Sequence, residues 1–323
     1  MGLYGDIKLF SGNGNLPLAE EIASYLGMEL SDRNIIEFPN ENLFVKLGGS
    51  VRGQDCFAIQ STSRPVNRNL MELLILLQTL YLDSAARLTA VIPYMCYARS
   101  DKKDQPRIPI TARLVADMIQ VAGADRYLLM NLHAGQIQGF FKIPGDVLTA
   151  YHQLTDNMKQ KIAMKQLHNP VVVSADLGFA KQARNIAEEL QIPLAFIEKR
   201  RTGNDSKAKA LSVIGDVAGH DCILCDDEVD TGGSMTNDIN LLYDSGATSV
   251  HVYFVHPVFS STAVDKLCAT KATQIVTTNS IHIPEKDAAK FNGRLHIESV
   301  ASLLGEVISR VNRGVSVGSL FHE

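Results

Sequence analysis

The stretch Ile223-Leu-Cys-Asp-Asp-Glu-Val-Asp-Thr-Gly-Gly-Ser234 decides the fold. Its apolar start reads as a strand, which ends in two adjacent carboxylates. A third follows at Asp230, and Thr231-Gly-Gly-Ser234 opens a helix over Met235–Tyr243. A strand that passes through a tight turn into a helix is the repeating unit of an α/β sheet. Gly232 and Gly233 let backbone N–H groups close on an anion, and the helix N-terminus adds a favourable dipole. Thr231 and Ser234 can donate from their hydroxyls, while Asp226 and Asp227 can accept from sugar hydroxyls. Ribose 5-phosphate suits this arrangement. An acidic turn with a capping serine would account for one aspartate and one glycine, but not for three carboxylates ahead of a double glycine.

Outward from this stretch, strands and helices alternate. Toward the C-terminus, Val250–Phe254 reads as a strand. Toward the N-terminus come Val171–Ser174 (strand), Ala180–Leu190 (helix) and Leu194–Ile197 (strand). The first half repeats the alternation, with strands at Ile7–Phe10, Cys56–Gln60, Leu88–Ile92 and Tyr127–Met130. Its helices are Leu16–Leu26, Leu70–Leu82 and Thr111–Ala122. The expected fold is α/β, with right-handed crossovers and mostly parallel sheets flanked by helices. The 323 residues suit two domains, 1–149 and 150–323, divided after the Pro144-Gly145 turn. The tail 314–323 is expected to pack back on the N-terminal domain. Two charged stretches lack periodicity, Tyr97–Pro109 and Lys199–Lys209, and long irregular loops in α/β proteins are usually functional.

Composition narrows the function. Lys and Arg total 31 against 35 Asp and Glu, a net charge of -4, which argues against a protein built to grip nucleic acid. Asp6, Lys8, Glu20 and Glu21 interrupt any N-terminal apolar segment, and no window suits a membrane span. Five scattered cysteines read as reduced thiols of a cytoplasmic protein. Cys222 and Cys225 form a CxxC, but on a strand positions i and i+3 face opposite ways, so they read as two strand cysteines rather than a metal or redox pair.

Asp226–Ser234 resembles the phosphoribosyl-binding loop of type I phosphoribosyltransferases and of phosphoribosyl pyrophosphate synthetases. Further segments resemble the synthetases alone: Tyr97-Ala-Arg-Ser-Asp-Lys-Lys-Asp104, Asn131-Leu-His-Ala-Gly-Gln-Ile-Gln-Gly-Phe-Phe141 and Glu198-Lys-Arg-Arg201. So do Phe38-Pro-Asn40, Ser50-Val-Arg-Gly53, Asn69-Leu-Met-Glu-Leu-Leu74 and Ser316-Val-Gly-Ser-Leu-Phe321. The resemblance covers almost the whole chain in order.

It implies two phosphoribosyltransferase-type (type I) domains and transfer of the β,γ-diphosphoryl group of ATP to ribose 5-phosphate. It assigns Asp226, Asp227, Asp230, Thr231, Gly232, Gly233 and Ser234 to ribose 5-phosphate, and Lys199 and Arg201 to charge developing in the transition state. His133 and Asp176 would hold Mg²⁺. Arg99, Ser100, Asp104 and His133 would lie along the ATP, with Phe38, Asn40 and Asn42 contributed to the active site of a neighbouring subunit. A dimer is then required, and a hexamer is expected. Ser50, Arg52, Arg107 and Ser316 match an allosteric site for phosphate and ADP.

The chain departs from the family pattern at three places. Asn42 stands where the family has Glu, Ser100 where it has Gln, and Ala175-Asp-Leu-Gly178 replaces Pro-Asp-Ala-Gly while keeping Asp176. Gly318 also stands where a second Ser is often found. Weaker discrimination of ATP from GTP is expected from Asn42 and Ser100. Two other functions compete: a phosphoribosyltransferase, and a non-catalytic synthetase-associated regulatory subunit. The synthetase-like first half opposes the former, and retention of Lys199, Arg201, His133 and Asp176 opposes the latter.

Overall fold

The computed structural model describes residues 4–200 and 209–320, which form two units. The first contains the chain up to Thr149, Ser280–His282 and the chain from Ser299 onward. The second contains Ala150–Asn279 and Ile283–Glu298.

The first unit runs β1 (Ile7–Ser11), α1 (Leu16–Tyr25), β2 (Arg33–Glu37), β3 (Leu43–Leu47), β4 (Asp55–Ile59), α2 (Val66–Leu82), β5 (Arg87–Ile92), α3 (Thr111–Val121), β6 (Arg126–Met130) and β7 (Gly145–Leu148). Five parallel strands make its sheet, in the order β1-β4-β5-β6-β7. All of β4 and β5 is buried, as parallel strands covered on both faces must be. Leu70, Leu73, Leu77, Val115 and Ile119 from α2 and α3 share one apolar core with Cys56, Ala58, Leu88 and Ala90.

Among the described residues, strands β2 and β3 pair only with each other, antiparallel, as a separate hairpin. Periodicity does not reveal this hairpin, because Ile35 and Ile36 are adjacent and Ile36 and Phe44 stay exposed.

The second unit runs α4 (Tyr151–Ala163), β8 (Pro170–Ser174), α5 (Ala180–Leu190), β9 (Leu194–Arg200), β10 (Lys209–Ile214), β11 (Asp221–Val229), α6 (Gly233–Asp244), β12 (Ser249–Pro257), α7 (Ala263–Cys268), β13 (Gln274–Thr278), α8 (Glu285–Ala289) and β14 (Leu295–Glu298). Its seven strands lie in the order β10-β9-β8-β11-β12-β13-β14, parallel except for the antiparallel pair at the β10 edge. Cys222 and Cys225 are free thiols buried on β11, and burial pushes Cys222 up to about 12.

The last helix, α9 (Ala301–Arg313), belongs to the first unit, where it packs against α1. The chain thus returns to this unit from Ser299, earlier than the tail 314–323. The physical reason is burial: Leu304, Val307, Ile308 and Val311 form one apolar face that a helix must cover.

Candidate active site

In the second unit the acidic residues converge where the strand order reverses. β9 and β10 lie to one side of β8, and β11 to β14 to the other, so the carboxyl ends of β8 and β11 open the crevice where open α/β sheets hold ligands. Ser174 pairs with Cys225 across these strands, and the Ala175 N–H donates to the Cys225 carbonyl at 3.1 Å. Asp176 therefore stands beside Asp226 and Asp227. Burial, then the charges of Asp227 and Asp176, hold the Asp226 carboxyl well above the usual carboxylate range. The buried Tyr151 phenol is pushed up by burial and then by the charges of Asp227 and Asp226. So much negative charge calls for a cation or for hydroxyl donors.

Local hydrogen bonds fix the direction of each carboxylate. The Phe179 N–H donates to Asp176 Oδ1 at 2.9 Å. The Asp227 N–H donates to Asp226 Oδ1, and the Glu228 N–H to Asp227 Oδ1, each at 2.9 Å. Asp230 Oδ1 accepts from the Ser260 hydroxyl, and its carbonyl takes the Ser260 N–H at 3.0 Å. Ser260 lies outside every motif in the sequence, and no spacing signal links it to Asp230.

Gly232 caps α6 with φ +72°, and a Cβ there would stand 3.2 Å from both Cα and the carbonyl oxygen of Ala263. Only glycine meets both conditions without strain. No side chain caps α6, so its first-turn N–H groups are available to an anion. Thr231 and Ser234 are exposed beside them, and Lys266 Nζ donates to the Thr231 carbonyl at 3.1 Å.

Lys199 differs from the sequence reading. It is not in a loop but in β9, its backbone opposite Ala210 of β10, because the strand extends to Arg200 along an antiparallel partner. The Lys199 side chain and all of Arg201 lie outside the described residues.

The remaining candidates fall in the first unit. Phe38 sits at the tip of the β2–β3 hairpin, 45% exposed, with its ring centroid 6.3 Å from that of Phe44. The Phe38 N–H donates to the Asn42 carbonyl at 2.9 Å, and Asn40 Oδ1 accepts from the Asn42 N–H at 3.2 Å. Asn42 also lines a cavity of about 490 Å³ with Glu37, Glu41, Arg68 and Met71.

Arg99, Asp104 and His133 are exposed, His133 between β6 and the 3-10 turn Gly135–Phe140. Gln136 Nε2 donates to buried Asp101 at 2.5 Å, which joins the Tyr97–Pro109 stretch to the His133 segment. The Ser100 hydroxyl meets Thr111 Oγ1 at 3.2 Å and accepts the Thr111 N–H at 3.3 Å, so it caps α3 from a distance. Ser50, Arg52, Arg107 and Ser316 are all exposed, and the Arg52 N–H donates to the Ser50 hydroxyl at 3.4 Å.

Among the described residues, no group of three or more His, Cys, Asp or Glu side chains forms a metal cage. An oxygen-rich, acidic strand end suits a hard cation that keeps its waters and is held by one or two protein ligands.

Residues 7–123 match the N-terminal domain of ribose phosphate pyrophosphokinase, and residues 203–322 match the phosphoribosyl synthetase-associated domain. A ribose-phosphate pyrophosphokinase of Rhizobium meliloti (strain 1021) is 44% identical over 315 residues, covering 98% of this chain and 100% of that protein. This chain belongs to the ribose-phosphate pyrophosphokinase family. A family member from Aquifex aeolicus (strain VF5) is 42% identical over 98% of the chain and 99% of its own length. The crystal structure of phosphoribosylpyrophosphate synthetase from Mycobacterium smegmatis superposes with a TM-score of 0.88 at 39% identity, covering 95% of this chain and 98% of that one. Because the likeness to ribose-phosphate pyrophosphokinases runs through both units, the phosphoribosyltransferase alternative falls. Both units have the α/β architecture of the family, with mostly parallel sheets flanked by helices.

Proposed function

We propose that the chain transfers the β,γ-diphosphoryl group of ATP to the 1-hydroxyl of ribose 5-phosphate, giving phosphoribosyl pyrophosphate and AMP. The hydroxyl oxygen forms a bond to the β-phosphorus, the bond from that phosphorus to the α-phosphate oxygen breaks, AMP leaves and the hydroxyl proton passes to solvent. The observation that carries the reading is the junction of β11 and α6, where paired carboxylates precede an uncapped helix N-terminus at the reversal of strand order.

In this reading Asp226 and Asp227 accept from the ribose hydroxyls. The backbone of Gly232–Ser234, with the Thr231 and Ser234 hydroxyls, takes the 5-phosphate, and Asp230 shapes the loop through Ser260. Lys199 and Arg201 meet negative charge on the transferring group, where preorganised cations act most strongly. His133 and Asp176 would hold Mg²⁺, which when bound neutralises phosphate charge. Arg99, Ser100 and Asp104 lie along the nucleotide.

Phe38 stacks on adenine with Asn40 and Asn42 beside it, in the active site of a neighbouring subunit. Exposed Ile36, Phe38 and Phe44 on one hairpin support such self-association. Ser50, Arg52, Arg107 and Ser316 would bind phosphate or ADP as effectors. No helix among the described residues is long and apolar enough to cross a membrane, which fits the cytoplasmic setting of the reading.

Incubation with ATP, Mg²⁺ and ribose 5-phosphate tests the reading. Equal amounts of AMP and phosphoribosyl pyrophosphate are expected, with no ADP. ADP with a ribose bisphosphate would overturn it, and absence of any turnover would favour a non-catalytic partner subunit.

A further inference from the structure

Among the described residues, the hairpin that carries Phe38 has no ladder to the five-stranded sheet, since β2 and β3 pair only with each other. A two-stranded hairpin by itself is marginally stable in water, so other contacts must hold it in one orientation. Val45 is buried in the core of the first unit, and Ile35 and Leu47 pack against it, which fixes the inner face. The polar anchors are on β2, one at each end, and both lead to the same buried carboxylate.

That carboxylate is Glu72 of α2, fully buried among leucines. Glu72 Oε1 accepts from the Asn13 N–H at 2.5 Å and from Gln60 Nε2 at 3.0 Å, and Oε2 accepts from Asn13 Nδ2 at 3.0 Å. Asn13 Oδ1 in turn accepts from Arg33 Nη2 at 3.2 Å, while Arg33 Nε donates to the Ser11 carbonyl at 2.7 Å. Arg33 begins β2. At the other end, Arg68 Nη1 lies 3.6 Å from Glu72 Oε2, and Arg68 Nε donates to Glu37 Oε2 at 2.6 Å. Glu37 ends β2 and directly precedes Phe38.

A leucine at position 72 would continue the apolar run of α2, whereas a buried carboxylate costs stability unless it is fully bonded. Here the Asn13 bonds of that carboxylate lead to the turn after β1 and its Arg68 pairing leads to the end of β2, while Gln60, just past β4, supplies the remaining bond. We propose that Arg68 and Glu72 are positioning residues for the nucleotide, acting through the hairpin on Phe38. This rests on the assignment of Phe38 to adenine made above. The outer pair, Arg68 with Glu37, is partly exposed, and such pairs add little to global stability. Its loss should therefore change hairpin order and leave the fold intact.

The test uses Arg68→Gln in the full-length enzyme. The KM for ATP is expected to rise about fivefold while that for ribose 5-phosphate stays within about twofold, as for loss of one ordering contact. Amide hydrogen exchange should quicken over residues 33–47 and remain unchanged in β4 and β5. Arg68→Lys should show a smaller effect than Arg68→Gln, because the ammonium keeps the positive charge although it cannot fork between two carboxylates. Unchanged exchange over residues 33–47, or an equal rise in both KM values, would overturn the proposal. Phe38→Ala separates the two ideas. If it leaves the KM for ATP unaltered, the adenine assignment has failed, and hairpin exchange in Arg68→Gln still decides whether Arg68 orders this segment.

Discussion

Asn312 Nδ2 donates to Asp55 Oδ2 at 2.9 Å, across 257 positions of sequence. The same carboxylate takes two bonds from Arg87, at 2.9 and 2.5 Å, and Arg87 Nη2 also reaches the Val311 carbonyl at 3.0 Å. The network joins the starts of β4 and β5 to the end of α9. Removing one member of a buried pair strands the other charge, at a cost of about 3–5 kcal/mol. Asp55→Asn is expected to lose about 3 kcal/mol of unfolding free energy, and Asn312→Ala about 1 kcal/mol. Urea titration measures both, and equal small losses would show that the network stabilises little.

At the sugar end, Asp227→Asn should raise the KM for ribose 5-phosphate more than that for ATP, because a neutral amide accepts less strongly from a hydroxyl. Gly232→Ala should act on the same substrate by another route. Alanine at φ +72° costs about 1 kcal/mol or more in backbone strain, and its methyl would press on the backbone of Ala263. Steady-state kinetics with each substrate varied checks both, and a shift confined to the KM for ATP would misplace the sugar.

Lys199→Ala should lower kcat on the order of 10³-fold, the scale of losing a transition-state cation in phosphoryl transfer. Both KM values should change little. A near-normal kcat would remove Lys199 from the reaction.

Nucleotide choice is tested at Asn42. An amide can turn either its carbonyl or its amine toward a base, whereas an ionised carboxylate only accepts. Asn42→Glu should therefore raise the ratio of kcat/KM for ATP to that for GTP, by about tenfold if the site is rigid. An unchanged ratio would mean that Asn42 does not face the base. Ser100 is a weaker candidate for such discrimination, since its hydroxyl already serves α3.

Stability should fall in mild acid because of His251. Burial, then the Lys161 charge, lowers its pKa from 6.5 to about 4. Between those values the unfolded chain holds a proton that the folded chain does not, so stability declines as pH falls through that window. The loss from this group is about 2 kcal/mol at pH 5, using about 1.4 kcal/mol per pKa unit. Urea unfolding at pH 7 and pH 5 should show a smaller acid loss for His251→Gln than for the wild type, and parallel losses would exonerate His251.

The junction of β11 and α6 was legible because it is local. Asp226 to Ser234 are consecutive, and a strand, a turn and a helix N-terminus are each written in neighbouring residues. The alternation of strands and helices was legible for the same reason. Three features were not, and each depends on residues far apart in sequence. Ser260 holds Asp230 only after β12 has been laid beside β11. Glu72 looks like one acid in a leucine-rich helix until Asn13 and Gln60 are brought to it. The apolar face of α9 announces a helix, but nothing in that face says that its partner is α1. Lys199 misleads for the opposite reason: a run of cations reads as a loop, although β10 gives it a strand partner.

The return of α9 to the first unit reverses the usual order of events on the ribosome. Domains at the start of a chain commonly fold as they emerge. Here β4 and β5 are made early, yet the helix that covers α1 and bonds Asp55 and Arg87 is among the last segments synthesised. The second unit has all its strands by Glu298, before α9 has been translated. The unit encoded first is therefore the one completed last, and α1 must wait with its apolar face uncovered while more than half of the chain is still being made.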